Sequence, residues 1–467
     1  MILSHRCILN NFIVLLALFC ASAKVAAFVR PEDFGAKGDK VTDDTQAFEK
    51  AVATGEDILI EGVYKTDIIL LKPNQALIGK KGCELLYNYV EVAEGCHLSG
   101  VVFDGQWNTR GVVVLGSNVQ IESCSFMNTK GSLAYYGGLT SALRIGTYQD
   151  LDEDRLLYHD ISIKNCFFDG CKPYDNQSNI SANKTVARCI LSYGCDNLLI
   201  NGCTFRNLEG YYDADFIQIR SFELKKQEFP FYDINEKWTA PSQPFHSYCY
   251  APAKTKITKC LFYQSDCKSS VKIMASNAIV ENNTFIVTNR DEGCAYSIVR
   301  AYLVCNVTVS KNRIILLKGN LDKVFEMGHN DGTTFSNNNV SVSDSFNLRT
   351  FAEMTYSKDC HFTRNIIKVN SLSGLFTSEF NRSVNIHKNS FIFGELSSDT
   401  IRMFSRFSNH YSYPSNIPGK TDFKGNQLFV PTINTVTIDL TNKYDYPIAF
   451  DKNKVKTNNK NSRILIK

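Results

Sequence analysis

ITKCLFYQSDCKSSVKIMASNAIVENNTF, Ile257–Phe285, holds two copies of one short pattern, ITKCLF and VENNTF, with an alternating segment between them. The pattern reads apolar-x-x-(Cys or Asn)-x-apolar. It recurs before this stretch as LSGVVF at Leu98, IESCSF at Ile121, IKNCFF at Ile163 and INGCTF at Ile200. It recurs after it as VSKNRI at Val309, FSNNNV at Phe335, FTRNII at Phe362, IHKNSF at Ile386, FKGNQL at Phe423 and FDKNKV at Phe450. The key position is Cys124, Cys166, Cys203 and Cys260, then Asn283, Asn312, Asn338, Asn365, Asn389, Asn426 and Asn453.

Most copies lie 23 to 29 residues apart, with longer gaps where a loop is inserted. That length suits one turn of a parallel β-helix, three short strands and three bends. Stacked turns bring like residues about 4.8 Å apart, so a column of Asn amides can hydrogen-bond from turn to turn. A column of Cys fills the same slot with small apolar atoms, and these four thiols are expected to be free and buried. The units are rich in Val, Ile and Phe and alternate with period 2, which disfavours a helical repeat.

A second strand precedes most copies by about a dozen residues: DFIQIRS, SVKIMAS, SIVRAYL, KVFEMGH and TFAEMTY are examples. Alternation leaves an outward side chain between inward apolar neighbours. Aligned turn on turn, the outward column runs Gln218, Lys272, Arg300, Glu326, Glu353.

A solenoid needs a cap over its first turn. Asp43 is expected to N-cap a helix, with Gln46 completing a capping box and Ala47, Phe48, Ala51 and Val52 forming the apolar face. Gly35 and Gly38 supply the sharp turns leading into it.

The 467 residues are 44% hydrophobic and 21% charged, the composition of a folded protein, and a net charge of +4 gives no ground for a nucleic-acid partner. His5 and Arg6 precede an apolar run, Phe12 to Cys20, and Ala21-Ser22-Ala23 offers a cleavage site. Residues 1–23 therefore read as a signal peptide, and the protein as secreted, extracellular or periplasmic, with no membrane span. Residues 24–458 read as one β-helix domain of about twelve turns and 459–467 as a solvated basic tail. A monomer is expected.

DFGAKGDKVTDDTQAF, Asp33–Phe48, resembles the N-terminal signature of the pectate-lyase-like superfamily, whose members include polygalacturonase- and rhamnogalacturonase-type hydrolases, some epimerases and phage tailspikes. The resemblance implies an all-β, right-handed, single-stranded parallel β-helix that acts on polysaccharide. It does not specify the reaction.

Two chemistries are implied by finer resemblances. YYDADF at Tyr211, QSDC at Gln264 and GCAYSI at Gly293 resemble polygalacturonase motifs in their order. Asp213 and Asp266 stand in matching places, but Ser265 replaces an acid and Cys294 the histidine. An inverting hydrolase needs one protonated acid and one carboxylate to activate water, and Asp213, Asp215 and Asp266 are the candidates. SSVKIMASNAIVENNTF followed by SIVRAYLVCNVTVSKNRI is similar to the Lys-bearing and Arg-bearing strands of alginate- and chondroitin-type lyases. Elimination needs a cation on the enolate, the role of Arg300, and a base for the C5 proton, the role of Lys272. Those lyases hold Ca²⁺ with acids just before the lysine. Here only Asp266 lies there, so calcium is implied only for the lyase reading.

Gln218, Glu326 and Glu353 are candidate substrate contacts along the column, with Trp238 and Tyr248 from the long aromatic insertion Phe222 to Lys254 as groove walls. The charged column also reads as a plain surface ladder of opposite charges. A glycan-binding protein that keeps the fold without catalysis is the rival class.

Overall fold

The computed structural model describes residues 28–131, 140–174, 186–210, 213–224, 249–265, 267–288, 296–355, 357, 359–369, 372–379, 383–394, 400–403, 421–430, 435–439, 448–457 and 463–466. The expected signal segment, Trp238, Tyr248, Asp266 and Cys294 lie outside them.

The opening residue of every copy of the repeat sits in one fifteen-stranded sheet, whose order follows the chain from Phe28–Val29 to Ile448–Asp451, and the key Cys or Asn lies at the bend into the next strand. All its pairings are parallel, for example Ile257 with Ile200 and with Val280. Chain order with parallel register means that the polypeptide returns one strand further along on each circuit. This is a parallel β-helix. Three strands, Phe28–Val29, Asp57–Ile60 and Ala76–Gly79, come before the first copy at Leu98 and extend the coil toward its N-terminus.

The two halves of the expected column are both present. Each ladder Asn donates from Nδ2 to the Oδ1 of the next, at 3.1 Å for Asn283 to Asn312 and at 3.0 Å for Asn312 to Asn338 and Asn338 to Asn365. Its Nδ2 also donates to a carbonyl of the turn before, as Asn283 does to Ile257 at 3.0 Å. Lower in the stack Cys203 and Cys260 point their thiols at the matching carbonyls of Ile163 and Ile200, at 3.6 and 3.8 Å. Cys124, Cys166, Cys203 and Cys260 are free and buried. The thiol is a weaker donor in the amide's place.

The closing apolar residue of the pattern builds the core. Phe103, Phe126, Phe168, Phe205, Phe262 and Phe285 stack with ring centroids 4.7 to 5.2 Å apart. That spacing is the distance between turns, so the stacking follows from the register rather than from ring chemistry alone.

The cap is helix α1, Thr45–Thr54, and it buries Ala47, Phe48, Ala51 and Val52 as the sequence predicts. Phe48 meets Tyr64 edge-on at 5.2 Å. The N-cap differs from expectation: it is Asp44, not Asp43. Asp44 turns its carboxylate back to the amides of Lys37 and Gly38, at 2.8 and 3.0 Å, pinning the glycine turn. Asp43 instead accepts the Thr45 amide at 3.0 Å. Two adjacent acids divide the work that one was expected to do. At the other end, part of the segment read as a basic tail is sheet: Arg463–Ile466 pairs in parallel with Thr435–Ile438.

Candidate functional site

Eight successive strands of the larger, 23-stranded sheet carry the candidate residues: β1 (Thr140–Ile145), β2 (Val186–Tyr193), β3 (Asp213–Arg220), β4 (Ser269–Met274), β5 (Ser297–Tyr302), β6 (Arg313–Gly328), β7 (Phe346–Thr355) and β8 (Leu372–Glu379). Gln218 pairs in register with Lys272, Lys272 with Arg300, Arg300 with Glu326 and Glu326 with Glu353. The five residues therefore stack as one column.

Simple alternation misses a second, buried polar column beside it. In each strand two consecutive residues point into the core: Phe216 and Ile217 in β3, Ile298 and Val299 in β5, Val324 and Phe325 in β6, all 0% exposed. A residue three positions before the expected outward one then lies on the other side of that doublet, and it is buried. The resulting column is Arg188, Asp215, Ser269, Ser297, Lys323 and Thr350, again in register. The signal was legible as a doublet of buried residues, but a strict period of two discards it.

Members of the two columns combine into two electrostatic groups. Around β2 and β3, Arg188 (3% exposed) lies 3.5 Å from the carboxylate of Asp215 (0% exposed) and donates to the side-chain oxygen of Gln218. Gln218 is thus held by an arginine that the sequence did not single out. Of Asp213, the structure describes only its place at the start of β3.

Around β5 to β7, Arg300 Nε sits 2.6 Å from Glu326 Oε2. Lys323 Nζ, on a residue 1% exposed, donates to Glu353 Oε2 at 2.7 Å and to the hydroxyl of Tyr296 at 2.9 Å. The Tyr296 ring has the Lys323, Lys268 and Arg300 cations at 4.1, 4.8 and 5.0 Å from its centroid. Burial first, then the Glu326 carboxylate, push the Tyr296 phenol above its ordinary range, against the opposing pull of Lys323. Burial works against the charge of Lys323, but Glu353 and Glu326 outweigh it and hold its ammonium above the usual value.

Between these groups stands Lys272, in register with Arg300 of the second group, and both are partly open to solvent. Among the described residues, no cluster of three or more His, Cys, Asp or Glu side chains is arranged to hold a metal ion. No helix among the described residues is long and apolar enough to cross a membrane.

The geometry of Asp215 carries a prediction. Asp215→Asn keeps an acceptor for Arg188 but removes a buried negative charge 3.5 Å from its guanidinium, at an expected cost of about 2 kcal/mol. A denaturant titration reads this directly. An unchanged midpoint would show that Arg188 is satisfied without it.

No protein-family model matches the chain, and no curated protein does. Solved structures do. The tailspike of E. coli bacteriophage HK620, determined with a pentasaccharide, is similar at a TM-score of 0.51 with 12% identity, over 93% of this chain and 80% of that one. A family 28 exopolygalacturonase of Yersinia enterocolitica gives 0.42 with 12% identity, over 92% and 78% of the two chains. A mannuronic-acid-specific family 6 polysaccharide lyase from human gut microbiota gives 0.46 with 13% identity, over 86% and 85%. At such identities the likeness concerns the fold and not the chemistry.

Proposed function

We propose that the chain is an exported enzyme that cleaves an acidic, uronate-containing polysaccharide by β-elimination at Lys272 and Arg300. The observation that carries this reading is the pairing of these two residues on adjacent strands, both partly open to solvent on the outer face. The polysaccharide-related proteins of similar fold support the substrate class, and the leader-like N-terminus supports export.

In this mechanism the Arg300 guanidinium binds the uronate carboxylate and stabilises the negative charge that develops as C5 loses its proton. Glu326 holds Nε of that guanidinium and so orients the fork. Lys272, one turn away, takes the C5 proton on its Nζ. The C5–H electron pair becomes the C4–C5 double bond, and the bond from C4 to the glycosidic oxygen breaks. The acids of a hydrolase are less well supported, because Asp215 is wholly buried against Arg188.

The test uses the chain from Lys24 with polygalacturonate, alginate and chondroitin, with and without calcium. Ultraviolet absorbance of unsaturated uronates is followed together with new reducing ends. Elimination predicts that both rise together. Reducing ends without absorbance would replace the proposal with hydrolysis, and silence in both channels would leave a glycan-binding role in its place.

A further inference from the structure

Elimination leaves an alkoxide on the departing sugar, and the roles given above to Lys272 and Arg300 do not include its protonation. A sugar alkoxide is a poor leaving group, so a proton delivered as the bond breaks lowers the barrier. From the surroundings of Tyr296 we infer that its phenol is the general acid that protonates the leaving glycosidic oxygen. This rests on the elimination reading and adds a third catalytic residue to it.

Three features of the site point to this role. Tyr296 immediately precedes β5, in the same turn as Arg300, whose guanidinium lies 5.0 Å from its ring centroid. The residue as a whole is half-buried rather than fully enclosed in the core. Lys323 donates to the phenol oxygen at 2.9 Å. An ammonium has no lone pair, so it occupies an acceptor position of the hydroxyl and leaves the phenolic hydrogen for another acceptor.

The charges suit both states of a proton donor. Before transfer, burial and Glu326 keep the phenol protonated. After it, the phenolate has the Lys323 ammonium on its oxygen, with Lys268 and Arg300 near the ring. Lys323 is itself anchored by Glu353 at 2.7 Å, so it is in place before substrate arrives. The step balances: the phenolic proton passes to the glycosidic oxygen as its bond to C4 breaks, while Lys272 gains the C5 proton. Transfer of one proton from Lys272 to water, and of one from water to Tyr296, restores both groups.

Tyr296→Phe removes the hydroxyl and keeps the ring, so packing and the cation contacts remain. The experiment compares wild type and Tyr296→Phe on the polymer that wild type cleaves, and on a synthetic uronoside carrying a nitrophenoxy group at C4. Nitrophenolate departs without protonation. The inference expects kcat on the polymer to fall by about 100-fold or more with KM nearly unchanged, and a loss of under about threefold on the nitrophenoxy substrate. Equal losses on both would make Tyr296 a positioning residue for Arg300 and overturn the inference, as would full activity on the polymer. A wild type that forms no unsaturated product defeats the elimination reading first and the acid role with it. An active wild type beside an unaffected variant defeats the acid role alone.

Discussion

Lys272→Met is expected to lower the rate of unsaturated-product formation by at least about 1,000-fold while leaving the fold intact, the upper part of the range for loss of a general base. Methionine keeps much of the length and the apolar stem but has no amine to accept the C5 proton. Lys272 stands partly exposed between Gln218 and Arg300, and the strands on both sides keep their backbone pairing without it. The expected stability change is therefore under about 1 kcal/mol, as for other solvent-facing charges. Because Arg300 still binds the uronate, affinity for the polymer should change much less than turnover. Activity within tenfold of wild type would remove Lys272 from the chemistry.

The largest effect on stability is expected in the Asn ladder. Asn338 Oδ1 accepts the Asn312 amide and side-chain nitrogen, both at 3.0 Å. Its Nδ2 donates to Val309 O and Asn365 Oδ1, both at 3.0 Å. Ala at this position removes all four and strands buried donors of Asn312 and the Val309 carbonyl, where water does not reach. An orphaned buried group costs roughly 1–3 kcal/mol, so Asn338→Ala should cost about 3–5 kcal/mol in sum. Asn338→Cys should cost less, because Cys203 and Cys260 already occupy equivalent slots with the thiol toward a carbonyl. Asn453→Ala, at the last and half-buried rung, should cost about 1 kcal/mol. Chemical unfolding followed by circular dichroism ranks the three. A solenoid can unfold in parts, so the comparison belongs to the transition that includes β6 and β7. Equal costs at Asn338 and Asn453 would show that the ladder acts locally and not as a buried chain of bonds.

The repeat made the coil readable because its key position is defined by chemistry that only stacking satisfies. An Asn whose two nitrogen and two oxygen bonds are all filled by neighbouring turns implies those turns. The same reading aligned Gln218, Lys272, Arg300, Glu326 and Glu353, since register follows once the repeat is in phase. Arg188, Tyr296 and Lys323 escaped it. Arg188 and Lys323 lie one step off a strict alternation, behind the inward doublet of each strand. Tyr296 lies just outside its strand, and its meaning comes from Lys323 in the next turn, 27 residues later.

By itself, then, the sequence determined the coil, the amide and thiol ladders, the helical cap and the main outward column. Each of these repeats a local pattern whose hydrogen bonds or apolar area can be satisfied in one stacking. Only the tertiary structure decided the electrostatic state of the candidate site. It buried Asp215 against Arg188, tied Arg300 to Glu326, and set Lys323 between Tyr296 and Glu353. Those pairings join residues from different turns at distances of a few ångströms, where burial and Coulomb energy depend on the neighbours that packing supplies.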